Sequence, residues 1–427
     1  MDAGKDKRDA GQARRDSRTG PVSPLTALGV TLAAQTLVSM SLAAPSVLAP
    51  VAAADLGVPA QHVGWLISLA YVAAMVSGLG GGSLTARYGA VRLTRWAVVA
   101  CAAGTALFAA GWSAALVAAA LVIGAGYGVT NPTAADILSR HAPERRRGLF
   151  FSVKQSGVPV GVALAGALLP WLAVSLGWRA ALLWIALPLA VIGLALGAAR
   201  ARLEPSRVET STGDRAATPQ APPLRVAIRS GLYEPLREVF SYAPTRRLAL
   251  VSLAYALTQV SFLTFLVSLL VIEHEYPLAL AAGLLAGAQA MSVAGRVGWG
   301  HVSDHWVDPT LLLGALGLTM GAGIALLGLA PHGTPWLAML AITLLCAATV
   351  VGWNGVYFAD LVRKVPPVRV ARTTGATQFI TFVGGMTGSG LFAALVSVTG
   401  SYRHVYVALA LIPALAGAMM LLRWRRA

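Results

Sequence analysis

Apolar residues run along this chain in long, nearly unbroken blocks separated by short polar connections. Crossing the hydrocarbon core takes about 20 residues of helix. Six blocks of that size lie in the first half, at 25–50, 62–84, 93–111, 115–138, 149–172 and 180–199, and six in the second, at 247–271, 278–302, 310–330, 335–358, 373–398 and 404–422. Backbone groups cannot go unpaired in lipid, and no ten-residue alternation of a membrane strand appears, so these blocks predict transmembrane helices. The fold class is an all-α membrane protein of twelve spans. A polar tail occupies 1–24, a six-helix unit 25–199, a linker 200–246, a second six-helix unit 247–422 and a basic tail 423–427. The linker carries Pro219, Pro222, Pro223 and many charges, and Leu224 to Phe240 reads as an interfacial helix.

Composition agrees with that pattern. Of 427 residues 56% are hydrophobic and 12% charged, against about a quarter charged in soluble domains. The first apolar block is too long for a signal peptide and predicts an uncleaved span. Cys101 and Cys346 both fall inside spans and read as small buried hydrophobes, with no disulfide or metal spacing. Only four of the 33 basic residues are lysine, Lys5, Lys7, Lys154 and Lys364. With abundant Ala, Leu and Gly, that suggests a GC-rich bacterial genome and hence the inner membrane.

The net charge is +16, and its distribution gives it meaning. The tails, the 2–3, 4–5 and 10–11 loops and the linker all emerge on one side and hold 29 of the basic residues; Arg179 and Arg403 lie on the other side, and Lys154 and Arg296 inside spans. Positive residues gather on cytoplasmic loops, so both termini are expected in the cytoplasm. The charge is then a topology signal, and no nucleic-acid partner is needed to explain it. Nor is there a phosphate loop, a metal ligand set or a nucleophile–base grouping. An enzyme is not expected, nor a cofactor, and the chain is expected to be monomeric.

The two halves repeat. Gln35 and Gln259 lie 224 residues apart, as do Asp136 and Asp360, while Gly148, Gly157 and Gly161 precede Gly375, Gly384 and Gly388 by 227. Such an internal repeat is a signature of secondary transporters. Two short motifs add to it: Gly82-Ser83-Leu84-Thr85-Ala86-Arg87-Tyr88-Gly89 after span 2, and Gly300-His301-Val302-Ser303-Asp304-His305 after span 8. With Arg147-Gly148 and Gly177-Trp178-Arg179, they resemble the major facilitator superfamily over about residues 25–422. The resemblance implies two pseudo-symmetric six-helix bundles that rock about a central site, with Gly82, Arg87, Gly89, Gly300 and Asp304 in the cytoplasmic gate. Ala86 stands where that family carries an acidic residue, so a gate built on the family's charge pairs would draw on Asp304. Close helix packing is the alternative role for Gly82 and Gly89. Gly157-Val158-Pro159-Val160-Gly161 in span 5 partly resembles the family's antiporter motif, interrupted by Val158.

Two buried cations require explanation, because a charge inside a span costs several kcal/mol. Lys154 lies ~9 Å past Gly148 along its helix and Arg296 ~12 Å before Asp304. Either snorkels to the interface, pairs with Asp136 or Asp304, or faces a cavity. Arg296-Val297-Gly298-Trp299-Gly300 resembles the Arg-x-x-x-Gly of the monocarboxylate and oxalate/formate branches, which implies an arginine that binds the substrate carboxylate. Its planar fork suits a carboxylate. None of the seventeen Asp and Glu residues lies mid-span, so the cavity is expected to be positive and its substrate a small organic anion. Gln35, Gln259, Asn131, Tyr127, Gln155, Gln289, Asn354 and Gln378 are further substrate-binding candidates, beside Tyr71 and Tyr255. Protons are a possible coupling ion, although no proton carrier is evident in the sequence. The rival expectation is a multidrug or metabolite efflux antiporter with an aromatic pocket of Trp299, Trp353 and Phe262.

Overall fold

The computed structural model describes residues 23–143, 147–203 and 233–424. The polar tail, most of the linker and the C-terminal basic residues lie outside them. Twelve helices are long and apolar enough to cross a membrane. In the first half they form spans 1 to 6: Pro24–Leu56, Val63–Tyr88, Ala90–Phe108, Ser113–His141, the pair Arg147–Gln155 and Gly157–Leu176, and Trp178–Leu203. Spans 7 to 12 are Ala243–Ile272, Leu278–His305, Pro309–Leu329, a composite of Trp336–Cys346 and Asn354–Lys364, Pro367–Thr399, and Tyr402–Trp424. A short helix, Glu234–Ser241, precedes span 7 and seats Val239 against Ala249, Ala376 and Ile380. It overlaps the end of the interfacial helix expected over 224–240, of which residues 224–232 lie outside the described residues.

Several spans outrun their apolar blocks. Span 1 continues through Pro45 and Pro50 to Leu56, where Gly57 at φ 64 closes it with its N–H on the carbonyls of Ala53 and Ala54. Proline is tolerated inside such helices because neighbouring helices compensate the lost bond. Two spans differ in kind from the unbroken helices expected. Span 5 breaks at Ser156, because Pro159 has no N–H to offer the Gln155 carbonyl. Span 10 contains a π-helical turn at Ala347–Val351, a distortion often found at functional sites.

Each half repeats the same packing. Span 1 lies on span 5 as span 7 lies on span 11, and spans 3 and 6 pair as spans 9 and 12 do. The repeated glycines produce these crossings. A Cβ on Gly157 would meet the Leu32 carbonyl at 3.0 Å and one on Gly161 would strike the Thr36 carbonyl; Gly384 and Gly388 stand in the same relation to Leu253 and Leu257. Span 5 therefore approaches span 1 backbone to backbone at Gln35. The ends repeat as well. Asp55 Oδ2 accepts from Trp178 Nε1 at 3.1 Å and from Arg179 Nη1 at 2.6 Å, joining spans 1 and 6. Glu273 accepts from Ser401 Oγ at 3.1 Å and from the backbone N–H groups of Tyr402 and Arg403, joining spans 7 and 12. Glu273→Ala is expected to cost about 1–2 kcal/mol, the usual loss for an N-terminal cap. A lower melting temperature of the purified variant is the check.

Beside that cap, His274 is buried in the 7–8 loop with neither ring nitrogen bonded. Burial, then the nearby Arg403 and His332, push its pKa below the usual histidine range, with Glu273 opposing.

The halves meet at the face away from the termini. Span 2 lies against span 11 and span 5 against span 8. Ser68 Oγ donates to the Met386 carbonyl at 2.7 Å and lies 3.0 Å from Ser389 Oγ. Gly64 faces Phe265, Ser389 and Ala393 with no room for a side chain, and Gly166 faces Ala282 and Ala286. At the terminus-bearing face a Cβ on Gly82, Gly298, Gly300 or Gly375 would meet nothing within 4 Å. The halves are packed together on the far face, whereas on the terminus-bearing face these four glycines meet no neighbour.

Candidate functional site

Span 5 delivers Lys154 on the last turn before its break. The side chain is only 3% exposed, and it neither snorkels nor finds a carboxylate. Its Nζ donates to Gln35 Oε1 at 2.8 Å and to Asn131 Oδ1 at 2.5 Å, bridging spans 1 and 4. Gln35 is fixed in turn by its amide, which donates to Ser39 Oγ at 3.2 Å. Asp136, the alternative partner expected for this lysine, is taken by Arg140 at 2.9 Å on its own helix.

Span 8 delivers Arg296. Its Nε donates to the Val351 carbonyl at 3.2 Å, while Trp299 Nε1 donates to the Ala348 carbonyl at 2.7 Å. Both acceptors belong to the π-helical turn of span 10, so the distortion holds span 8 in place. The Val351 carbonyl also receives Asn354 Nδ2 at 3.4 Å; Gln259 Oε1 accepts from that amide at 3.5 Å and from Trp353 Nε1 at 3.0 Å. Arg296 is thus backed by a fixed polar network through spans 7, 8 and 10. Its four terminal N–H groups bond to no described residue. Among the described residues neither Lys154 nor Arg296 enters an ion pair.

Tyr127 of span 4 sits about one helical turn before Asn131. It lies near enough to Arg296 for a direct electrostatic interaction across the halves, and near enough to Tyr71 for a second. Tyr71 in turn lies 6.2 Å, centroid to centroid, from Phe382 of span 11. Each half thus holds one cation within its spans, and Tyr127 of the first half comes close to the cation of the second. Asp360 is buried but remote from it, bonded to Lys364 at 2.6 Å and Thr310 at 2.9 Å near the end of span 10.

Of the expected site residues, Arg296, Gln259 and Asn354 come together in the second half and Lys154, Gln35 and Asn131 in the first, with Tyr127 close to Arg296. Gln155 is exposed and Gln378 partly exposed; no hydrogen bond ties either to the clusters. Gln289 is buried with only its oxygen bonded, to Ser292 Oγ at 3.4 Å, and its amide nitrogen has no partner. Tyr255 packs in the core, its hydroxyl on the Leu313 carbonyl at 2.7 Å. The aromatic pocket of the rival expectation is not assembled. Phe262 and Trp353 are buried in the core of the second half, Trp353 edge-on to Tyr255 and Tyr357, and Trp299 is tied to span 10. Phe382, Ser39 and the two π-turn carbonyls were not foreseen; no local sequence signal marks them.

The expected gate residues stand apart. Gly82 and Gly300 face open space, so close packing is not their role in this conformation. Gly89, at φ 89, makes the turn between spans 2 and 3. Arg87 is exposed and rests over the Tyr88 ring at 5.2 Å, and Asp304 is exposed with no ion-pair partner among the described residues.

The sequence carries this reading further. Residues 31–389 match the family model of the Major Facilitator Superfamily, and the chain belongs to that family. It is accordingly a transport protein and not an enzyme. Among its relatives, the 4-hydroxybenzoate transporter PcaK of Pseudomonas aeruginosa is 26% identical over 90% of this chain and 89% of its own. Monocarboxylate transporter 13 of Bos taurus is 26% identical over 82% of this chain and 77% of its own. A bacterial homologue of the human lysosomal transporter Spinster, solved in an inward-facing and occupied conformation, superposes with a TM-score of 0.71 at 17% identity, covering 93% of this chain and 96% of that one. That last likeness concerns the fold.

Proposed function

We propose that this protein moves a small organic anion, a carboxylate, across the bacterial inner membrane by alternating access. The observation that carries the proposal is the pair of inward-reaching cations, Arg296 and Lys154, supplied by different halves and held only by neutral oxygens. A fixed positive field of this kind selects an anion. The terminal edge of Arg296 is free for bidentate contact with a carboxylate, and Lys154 has one N–H left to donate. Gln35, Asn131, Gln259 and Asn354 hold the two cations in position, and Tyr127 stands where the bound anion joins the halves. The names of the two relatives, both transporters of carboxylates, support the same substrate class.

With its termini in the cytoplasm, the conformation described is open inward. Closing it would bring together the loops that carry Gly82, Arg87, Gly89, Gly300 and Asp304, so Arg87 and Asp304 are the proposed charges of that gate. A single chain contributes the whole path.

Counterflow tests the proposal. Proteoliposomes loaded with unlabelled 4-hydroxybenzoate or lactate are expected to take up the labelled acid faster than protein-free vesicles. Other carboxylates should compete, and lipophilic cations should not. Uptake of lipophilic cations that persists in Arg296→Ala, with no carboxylate exchange, would contradict it.

A further inference from the structure

We propose that Lys154 is the proton carrier of this transporter: its amine takes up a proton as the substrate carboxylate binds and releases it when the carboxylate leaves. The inference rests on the carboxylate site proposed above and adds the coupling ion to it.

The internal repeat isolates the feature. Spans 1 and 4 present Gln35 and Asn131; spans 7 and 10 present Gln259 and Asn354 at offsets of 224 and 223 residues. In the second half the two amides meet each other directly, Asn354 Nδ2 on Gln259 Oε1 at 3.5 Å. In the first half both turn their oxygens to an inserted ammonium, at 2.8 and 2.5 Å. At the 227-residue offset that relates spans 5 and 11, the counterpart of Lys154 is Thr381, whose hydroxyl bonds only within its own helix, to the Thr377 carbonyl at 2.9 Å. One copy of a common frame has been turned into a socket for a titratable cation.

Nothing else nearby neutralises that cation. The helix carrying Lys154 packs on spans 1 and 4 and continues into the rest of span 5. The acidic residue of span 1, Asp55, lies at its far end, bound to Trp178 and Arg179. Span 4 contributes Tyr127 and, near its end, Asp136 paired with Arg140 and His141, whose Nδ1 lies 2.9 Å from the Ile137 carbonyl. Across the halves stands Arg296, another cation. A buried charge with only neutral partners is costly, so the ammonium is most stable when an anion occupies the cavity.

Among the described ionisable groups at the two clusters, Lys154 is the one suited to exchange that proton. Arginine does not lose its proton in proteins, and phenols such as Tyr71 and Tyr127 ordinarily do so only near pH 10. Lysine, by contrast, changes its ionisation readily when buried. The step is the addition of a proton to the Nζ lone pair, with no other bond made or broken. Loss of the carboxylate leaves the ammonium uncompensated, and the proton returns to water in the cavity. By linkage, the factor by which carboxylate strengthens proton binding equals the factor by which the proton strengthens carboxylate binding. One proton crossing with each monoanion makes the cycle electroneutral.

The test measures protons moved per carboxylate in proteoliposomes of the full chain, with a trapped pH dye, labelled 4-hydroxybenzoate or lactate, and protein-free vesicles subtracted. The wild type is expected to carry about one proton per carboxylate, as the linkage requires. In Lys154→Gln and Lys154→Arg, counterflow should be weaker but measurable, with the proton ratio falling to zero; the arginine keeps the charge but cannot release it. Proton movement at the wild-type ratio in either variant would overturn the inference. So would loss of exchange in both, which would make Lys154 a substrate anchor alone. Absence of counterflow in the wild type would instead overturn the carboxylate reading on which the inference depends.

Discussion

Alanine in place of Arg296 lowers carboxylate affinity by roughly 30-fold to several-thousand-fold in the expected result, whereas folding survives. Removing one partner of a buried, hydrogen-bonded charge pair costs about 2–5 kcal/mol, and about 1.4 kcal/mol is a factor of ten. Lysine should rescue little of the loss. It has no planar fork for a carboxylate and no Nε to keep the bond to the Val351 carbonyl. The same substitution should slow exchange of every carboxylate substrate, because the proposed contact is with the carboxylate they share. Equilibrium binding of a labelled carboxylate to the purified variant, set against its melting temperature, separates lost affinity from lost fold.

The second large effect belongs to the closed face. At Gly64→Ala the new methyl would stand 2.5 Å from the Phe265 ring and 2.9 Å from Ala393, and would press on the Ser389 carbonyl. All three belong to the other half, so the clash exists only while this face is closed. Overpacking of this sort costs about 1–3 kcal/mol, enough to shift the balance between the two conformations by about 5–150-fold. Transport should fall, and backbone hydrogen exchange over the early turns of span 2 and residues 385–393 of span 11 should quicken. Gly124→Ala offers the contrast. Its methyl would strike the Ala70 backbone inside the first half, so the melting temperature should drop without selective opening of that face. Equal effects from both substitutions would mean that the closed face is part of the fold and not a gate.

Much of the architecture was legible because membranes impose simple rules. Block length fixed the number of spans, and the repeated glycines marked the internal repeat, although the crossings they make, which set Gln35 beside Lys154, emerged only in the structure. The two cations stood out for the cost of burying charge, and their neutral partners were legible as polar residues within spans. What the residues did not reveal was pairing. Lys154 fell short of the midplane in a straight-helix count and could equally have snorkelled or paired with Asp136. The break after Gln155 and the capture of Asp136 by Arg140 are local, but the Gln35 and Asn131 oxygens that receive the ammonium come from two other spans, and that pairing depends on tertiary contacts. The π-helical turn was invisible for the same reason: Ala347–Val351 is an ordinary apolar run, and its special carbonyls matter only because Arg296 and Trp299 reach them from span 8. Trp353 and Phe262 illustrate the opposite error. Large aromatic residues in spans suggested an adaptable pocket, but the rings pack into the core of one half, where Trp353 supports Gln259 rather than a ligand.

A carboxylate site at Arg296 is tested most simply by the melting temperature of the detergent-purified protein against carboxylates, inorganic anions and lipophilic cations. A ligand that binds only the folded state stabilises it in proportion to the logarithm of its concentration over Kd. 4-Hydroxybenzoate or a short monocarboxylate should raise the melting temperature of the wild type and leave that of Arg296→Ala unchanged. A rise produced by lipophilic cations alone, equal in the wild type and Arg296→Ala, would contradict the carboxylate site.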